Sequence, residues 1–121
     1  MNQKQIKVLI ADVLKDMNMW SEEAEELVFL TGLVESGYKY ISQIGSDIAR
    51  SFFQVEVATA KDCIDNYLIY RKDVLKDFGK AVHRKPEEIL AWTEEELHDL
   101  LWHDIALGVA FCRIKYRRVP K

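Results

Sequence analysis

Apolar residues recur every three or four positions through the first third and the second half of this chain, in runs bounded by recognisable helix caps. Such a period puts one stripe of each helix out of water, so these runs must pack against one another. A first helix is predicted over about Lys4 to Met17, with Ile6, Leu9, Ile10, Val13 and Leu14 on one side. Asn18-Met19-Trp20 makes the turn. Ser21 caps a second helix that runs to about Val34, with Glu22 and Glu23 in its favourable first turn and Gly37 ending it. From Tyr38 to Glu56 the helical period fails. Tyr38, Tyr40, Ile44, Phe52, Phe53 and Val55, broken by Gly45-Ser46-Asp47, read as short strands or a compact β-like loop.

Helical spacing returns at Ala58 or Thr59 and continues through Cys63, Tyr67, Tyr70 and Val74, with Phe78-Gly79 ending or bending the helix. Pro86 suits the first turn of a short helix ending near Trp92. Thr93-Glu94-Glu95-Glu96 is a capping box that opens one last long helix through Leu97, Leu100, Leu101, Ile105, Gly108, Phe111 and Cys112. The expected fold class is mainly α, of the α+β kind. It is a single domain over residues 1–121, a helical body with a small β-like insert after the second helix.

Composition agrees with a compact domain. The 121 residues are 49% hydrophobic and 11% aromatic, enough for one core, and two prolines and five glycines leave little room for linkers. A formal net charge of -3 gives no overall attraction to nucleic acid or anionic membrane. The one concentrated positive stretch, Arg113-Ile114-Lys115-Tyr116-Arg117-Arg118, reads first as a helix end that complements its dipole, and second as a contact for an acidic partner. Cys63 and Cys112 sit among apolar residues with no closely spaced partner, so buried free thiols are expected. The N-terminal run is interrupted by Asp12 and Lys15-Asp16, an amphipathic helix rather than a signal peptide, and no apolar run approaches membrane-spanning length. The expectation is a protein made in a cytoplasm, with no membrane insertion and no nucleic-acid partner.

Glu35 carries the chemical interest. It follows Ala24, Leu27, Val28 and Thr31 in register on the second helix, and lies in the last turn, where the negative end of the helix dipole disfavours an anion. An apolar face and the dipole act in the same direction, towards a carboxyl group that stays protonated, as a general acid requires. Taken alone, a glutamate before a helix-ending glycine is a solvated side chain. His98 and His103 are five apart on a helix and do not share a face, so no metal site is read there, and no cofactor motif is present.

Glu35-Ser36, then Ala49-Arg50-Ser51-Phe52-Phe53-Gln54, then Thr59-Ala60, resemble the core signature of soluble lytic transglycosylases and goose-type lysozymes. Asp104 to Phe111 is similar to a later helix of that family. The chain resembles still more closely the short phage-encoded lysozyme-like proteins. The residues are Glu35-Ser36, Tyr40 with Gln43-Ile44-Gly45, Phe53-Gln54-Val55-Glu56 with Thr59, Asn66-Tyr67-Leu68-Ile69-Tyr70-Arg71, and Cys112 to Pro120. The likeness spans about Leu27 to Pro120. Ile48 and Ser51 stand where the family has glycine, Val57 where it has proline, and Asp104 where it has asparagine; the family's late tyrosine segment would fall beyond Lys121.

The resemblance implies a lysozyme-like fold and cleavage of the bond between N-acetylmuramic acid and N-acetylglucosamine in peptidoglycan. Glu35 would be the catalytic acid, with Ser36, Tyr40, Gln54, Glu56 and Tyr67 around the substrate. Gln54 would bond to sugar or N-acetyl groups, Ser36 would order the site, and Tyr38, Tyr40 or Tyr67 would stack on sugar faces. The plainer reading of Tyr67 and Tyr70 is packing between helices. Asp47 and Glu56 are the carboxylates of the irregular segment that could face Glu35, so hydrolysis and transglycosylation both stay open. The partners implied are glycan strands and other phage virion proteins. Two alternatives stand beside the enzyme: a virion structural protein that keeps the fold without activity, and a helical interaction module whose basic C-terminal helix is the contact surface.

Overall fold

The computed structural model describes the backbone of residues 2–36 and 55–118, and the side chains of residues 2–33 and 55–118. The β-like insert expected after the second helix lies outside the described residues, apart from Val55 and Glu56, which form no strand. Helix α1 (Gln3–Asp16) is followed by α2 (Glu22–Ser36) and, after the undescribed segment, by α3 (Val57–Asn66) and a short 3-10 turn over Leu68–Tyr70. The rest is α4 (Lys72–Val82), α5 (Pro86–Ala91), α6 (Glu94–His103) and α7 (Ile105–Arg118). The described chain is mainly helical.

Local chemistry accounts for the helix starts. Asn2 caps α1 reciprocally with Gln5, each side chain accepting from the other's backbone N–H at 2.8 and 2.9 Å. Ile6, Ile10, Val13 and Leu14 are buried along α1, and Leu9 packs at their margin. Asn18 ends the turn in the left-handed region (φ 58°), a conformation asparagine adopts at low cost. Ser21 Oγ accepts the Ala24 N–H at 3.0 Å and starts α2, as expected. Thr93 and Glu96 cap α6 reciprocally, both at 3.1 Å.

Helix α7 holds the core together. Leu107 to Cys112 and Ile114 are all buried, so the helix is apolar nearly all round and must be covered on every side. It touches α1, α2, α3, α4 and α6. Cys63 and Cys112 are buried free thiols, as expected, and burial pushes Cys63 up and Cys112 up to about 12.

Four expectations are corrected, the last of them at Phe78-Gly79 below. The continuous helix from residue 58 to 74 is broken: Tyr67 (φ -135°, ψ -66°) and Arg71 (φ -129°, ψ 81°) leave helical geometry on either side of the 3-10 turn. The break turns Leu68 fully inward and leaves Tyr70 78% exposed, and it lets the Leu75, Phe78, Ala81 and Val82 face of α4 meet α1 and α7. The single last helix is two, because Asp104 (φ -117°, ψ 99°) donates its N–H to Leu100 O while its carboxylate accepts the Leu107 N–H at 3.0 Å. One residue thus closes α6 and caps α7. On α2, Leu27 is 42% exposed, whereas Val28 and Phe29 are buried, so the packed face is rotated away from the one predicted.

Phe78-Gly79 lies inside α4 rather than at its end; the helix closes at His83, which takes the left-handed conformation (φ 59°). Gly79 is there for space. A Cβ at that position would lie 2.6 Å from the Arg84 carbonyl oxygen, where the chain folds back into α5. Gly79→Ala is therefore expected to destabilise by about 1–2 kcal/mol, because the overpacking cost of about 1–3 kcal/mol exceeds the gain of about 1 kcal/mol in helix propensity. Urea denaturation checks the sign: a stabilised variant would show that the loop yields freely.

Candidate functional site

Glu35 and Ser36 are the last two residues of α2, one turn or less from its end, with helical backbone; their side chains lie outside the described residues. So do Tyr40 and Gln54, together with Tyr38 and Asp47. Glu56 is exposed and extended (φ -74°, ψ 151°) at the start of α3, with no side-chain capping bond. Tyr67 sits at the other end of α3, half-buried. The helix between them separates these two residues by its whole length, so Glu56 and Tyr67 do not share a cluster. No polar or charged side chain among the described residues is fully buried.

The helix that ends in Glu35 is anchored to α7. Thr31 Oγ1 donates to the Leu27 carbonyl at 2.8 Å, which uses its one hydrogen. The Tyr116 hydroxyl, 2.9 Å away, is then the donor to Thr31 Oγ1. Arg113 Nε donates to the Met19 carbonyl at 3.1 Å, joining α7 to the turn that begins α2. Burial and the neighbouring Arg117 push the Arg113 guanidinium down from its ordinary value. Arg117 in turn lines a groove with Ser21, Glu23, Ala24 and Leu27, so the carboxyl end of α7 lies across the first half of α2.

Beside the carboxyl end of α7 the side chains of α3, its 3-10 turn and α7 converge. Arg118 Nη1 reaches Asp62 Oδ2 at 2.7 Å, and Asn66 Nδ2 donates to Asp62 Oδ1 at 2.6 Å. Asn66 first, then Arg118, hold the Asp62 carboxyl below the usual range. The Tyr67 ring has the Arg71 guanidinium 4.7 Å from its centre and the Arg118 guanidinium at 5.7 Å. Tyr67, Arg71, Arg117 and Arg118 line a cavity of about 360 Å³. The helix dipole alone accounted for the terminal arginines from sequence; Arg71 joins them only through the break in the 58–74 helix, which no local residue signals.

No protein-family model matches the chain, and no curated protein or solved structure matches it. What the site can do therefore rests on its own residues. The two histidines do not come together as a metal site: His98 lies beside Asp99 at 3.8 Å and against Trp102 at 5.7 Å between ring centres, while His103 is exposed. Among the described residues no group of three His, Cys, Asp or Glu side chains could hold a metal ion. No helix among them is long and apolar enough to cross a membrane.

Proposed function

We propose that this chain cleaves the glycosidic bond between N-acetylmuramic acid and N-acetylglucosamine in peptidoglycan, as a lytic transglycosylase or a muramidase of lysozyme-like fold with a β-like insert after α2. The observation that carries the reading is Glu35 in the last turn of α2, where the negative helix end favours a protonated carboxyl. The ordered fragments from Glu35-Ser36 to Gln54 and Thr59 support it, and so does the bond between Thr31 and Tyr116, one turn before Glu35, which makes a rigid base for an acid. The natural setting is a phage virion that opens the wall locally, with other virion proteins as neighbours.

The chemistry begins with transfer of the Glu35 proton to the bridging oxygen as the carbon–oxygen bond to the muramyl C1 breaks and positive charge spreads over the ring. Two completions follow. The muramyl C6 hydroxyl attacks its own C1 and returns its proton to Glu35, giving an anhydro-sugar. Alternatively water attacks with help from a second carboxylate, for which Asp47 and Glu56 are the candidates. Ser36, Tyr40 and Gln54 are proposed to hold the sugars, and Tyr67, whose ring is already faced by Arg71 and Arg118, to reach the glycan by its hydroxyl rather than by stacking.

Mass spectrometry of products from purified sacculi decides between these. Anhydro-muramyl ends identify a transglycosylase, and reducing muramic ends identify a muramidase. Intact sacculi after incubation with the folded protein would overturn the enzymatic reading. Ile48 and Ser51, in place of glycines that let backbone approach a sugar, favour in that case a virion structural protein.

A further inference from the structure

We infer that the cavity formed by Tyr67, Arg71, Arg117 and Arg118 is an anion site that takes a carboxylate of the peptidoglycan peptide stems. Its assignment to the cell wall rests on the glycan-cleaving function proposed above; its preference for an oxyanion rests on the side chains alone.

Three guanidinium groups line this space, and one carboxylate, Asp62, is paired with one of them, Arg118. Neither Arg71 nor Arg117 has a carboxylate within ion-pair distance among the described residues. The helix dipole explains Arg117 and Arg118, which stand at the negative end of α7. It cannot explain Arg71. That residue stands at the amino end of α4, the positive end of a helix, where a cation is disfavoured. Like charges brought together from two elements, one of them against a dipole, are relieved by a bound anion, and guanidinium forks match a planar oxyanion in two-point contact.

Tyr67 sets the geometry rather than the affinity. With the Arg71 and Arg118 guanidiniums already over its ring, that ring holds the forks in place instead of offering a free stacking face. A site that reads nucleic acid would need open aromatic faces and an extended basic track. This chain carries a net charge of -3, which suits a single carboxylate better than a polyphosphate. A strand held by its peptide stem at the arginines would stay on the protein while its glycan is cleaved.

The test is binding of the full-length protein to purified sacculi. A Glu35→Gln background keeps the ligand from being consumed. Adding Arg71→Gln and Arg117→Gln is expected to weaken binding about tenfold or more, the change that matches loss of one charged hydrogen bond. Amidating the stem carboxylates should weaken binding of the arginine-bearing protein to the same degree and leave the double variant unaffected. An Arg71→Lys, Arg117→Lys protein keeps the charge but not the fork, and should fall between the two. Circular dichroism confirms that each variant is folded. Equal binding to native and amidated sacculi, or equal binding by arginine and glutamine proteins, would overturn the site. So would a loss seen with duplex DNA and not with sacculi. Absence of cleavage products from the wild-type protein, with carboxylate-dependent binding intact, would overturn the proposed enzyme and leave this site standing.

Discussion

Glu35→Gln is expected to lower the release of soluble fragments from sacculi by about 10²–10⁴-fold, the usual range for loss of a general acid. Glutamine keeps the shape and the hydrogen-bonding atoms of the side chain but has no acidic proton to give the leaving oxygen. Stability should hardly move, because residue 35 stands in the last turn of α2, where the helix end favours the protonated carboxyl, and glutamine replaces that neutral group with another of the same shape. The expected signature is therefore a protein that melts at about the wild-type temperature and has lost its activity. A merely structural role for Glu35 cannot produce that pair of results, because it would lower both together. Cleavage by the glutamine variant at the wild-type rate would remove Glu35 from the mechanism.

What sequence reading captured here is what short-range chemistry dictates. The caps at Ser21 and Thr93–Glu96 and the helix start at Pro86 depend on residues within one turn, and each appears in the structure. The helix breaks were hidden for a physical reason. Between Asn66 and Arg71 there is no glycine or proline, and the apolar spacing from Cys63 to Val74 runs straight through. The chain bends because burying Leu68 and bringing Phe78 against Phe111 outweigh the helix bonds given up at Tyr67 and Arg71. Asp104 is a cap residue by type, yet its neighbours Leu100, Leu101 and Ile105 keep a helical period across it, and the period masked the cap. Leu27 shows the limit of a register argument: it is in phase with Val28 and Thr31, but α1 and α7 meet α2 on the side of Val28 and Phe29. The same limit applies to function. Glu35 could be singled out because its peculiarity is local, an acid at a helix end. The arginine cavity could not, because Arg71 and Arg117 meet only through the bend at residues 67–71 and the direction of α7.

Phe111→Ala is expected to cost about 3–5 kcal/mol, the largest loss from a single substitution in the described core. Phe111 is fully buried on α7, with its ring centre 4.9 Å from that of Phe78 at an interplanar angle of 58°, a tilted contact that favours the ring edge against the opposing face. Removing it strips the contact between α7 and α4 and leaves a void that neither helix can close, since α7 is held on its other sides by α1, α2, α3 and α6. A domain of this size has about 5–15 kcal/mol of stability in all, so the variant should melt roughly 10–20 °C lower, with α2 and its anchor through Tyr116 loosened along with the rest. Val8→Ala serves as the control. Val8 is 55% exposed on α1, and its loss should stay within about 0.5 kcal/mol. The Phe78→Ala, Phe111→Ala pair should cost less than the two single losses added together, because both rings border one cavity and the second truncation removes contacts already gone. Strict additivity in urea titrations would mean that the rings sit in separate pockets, and that α4 and α7 are joined by something other than this pair.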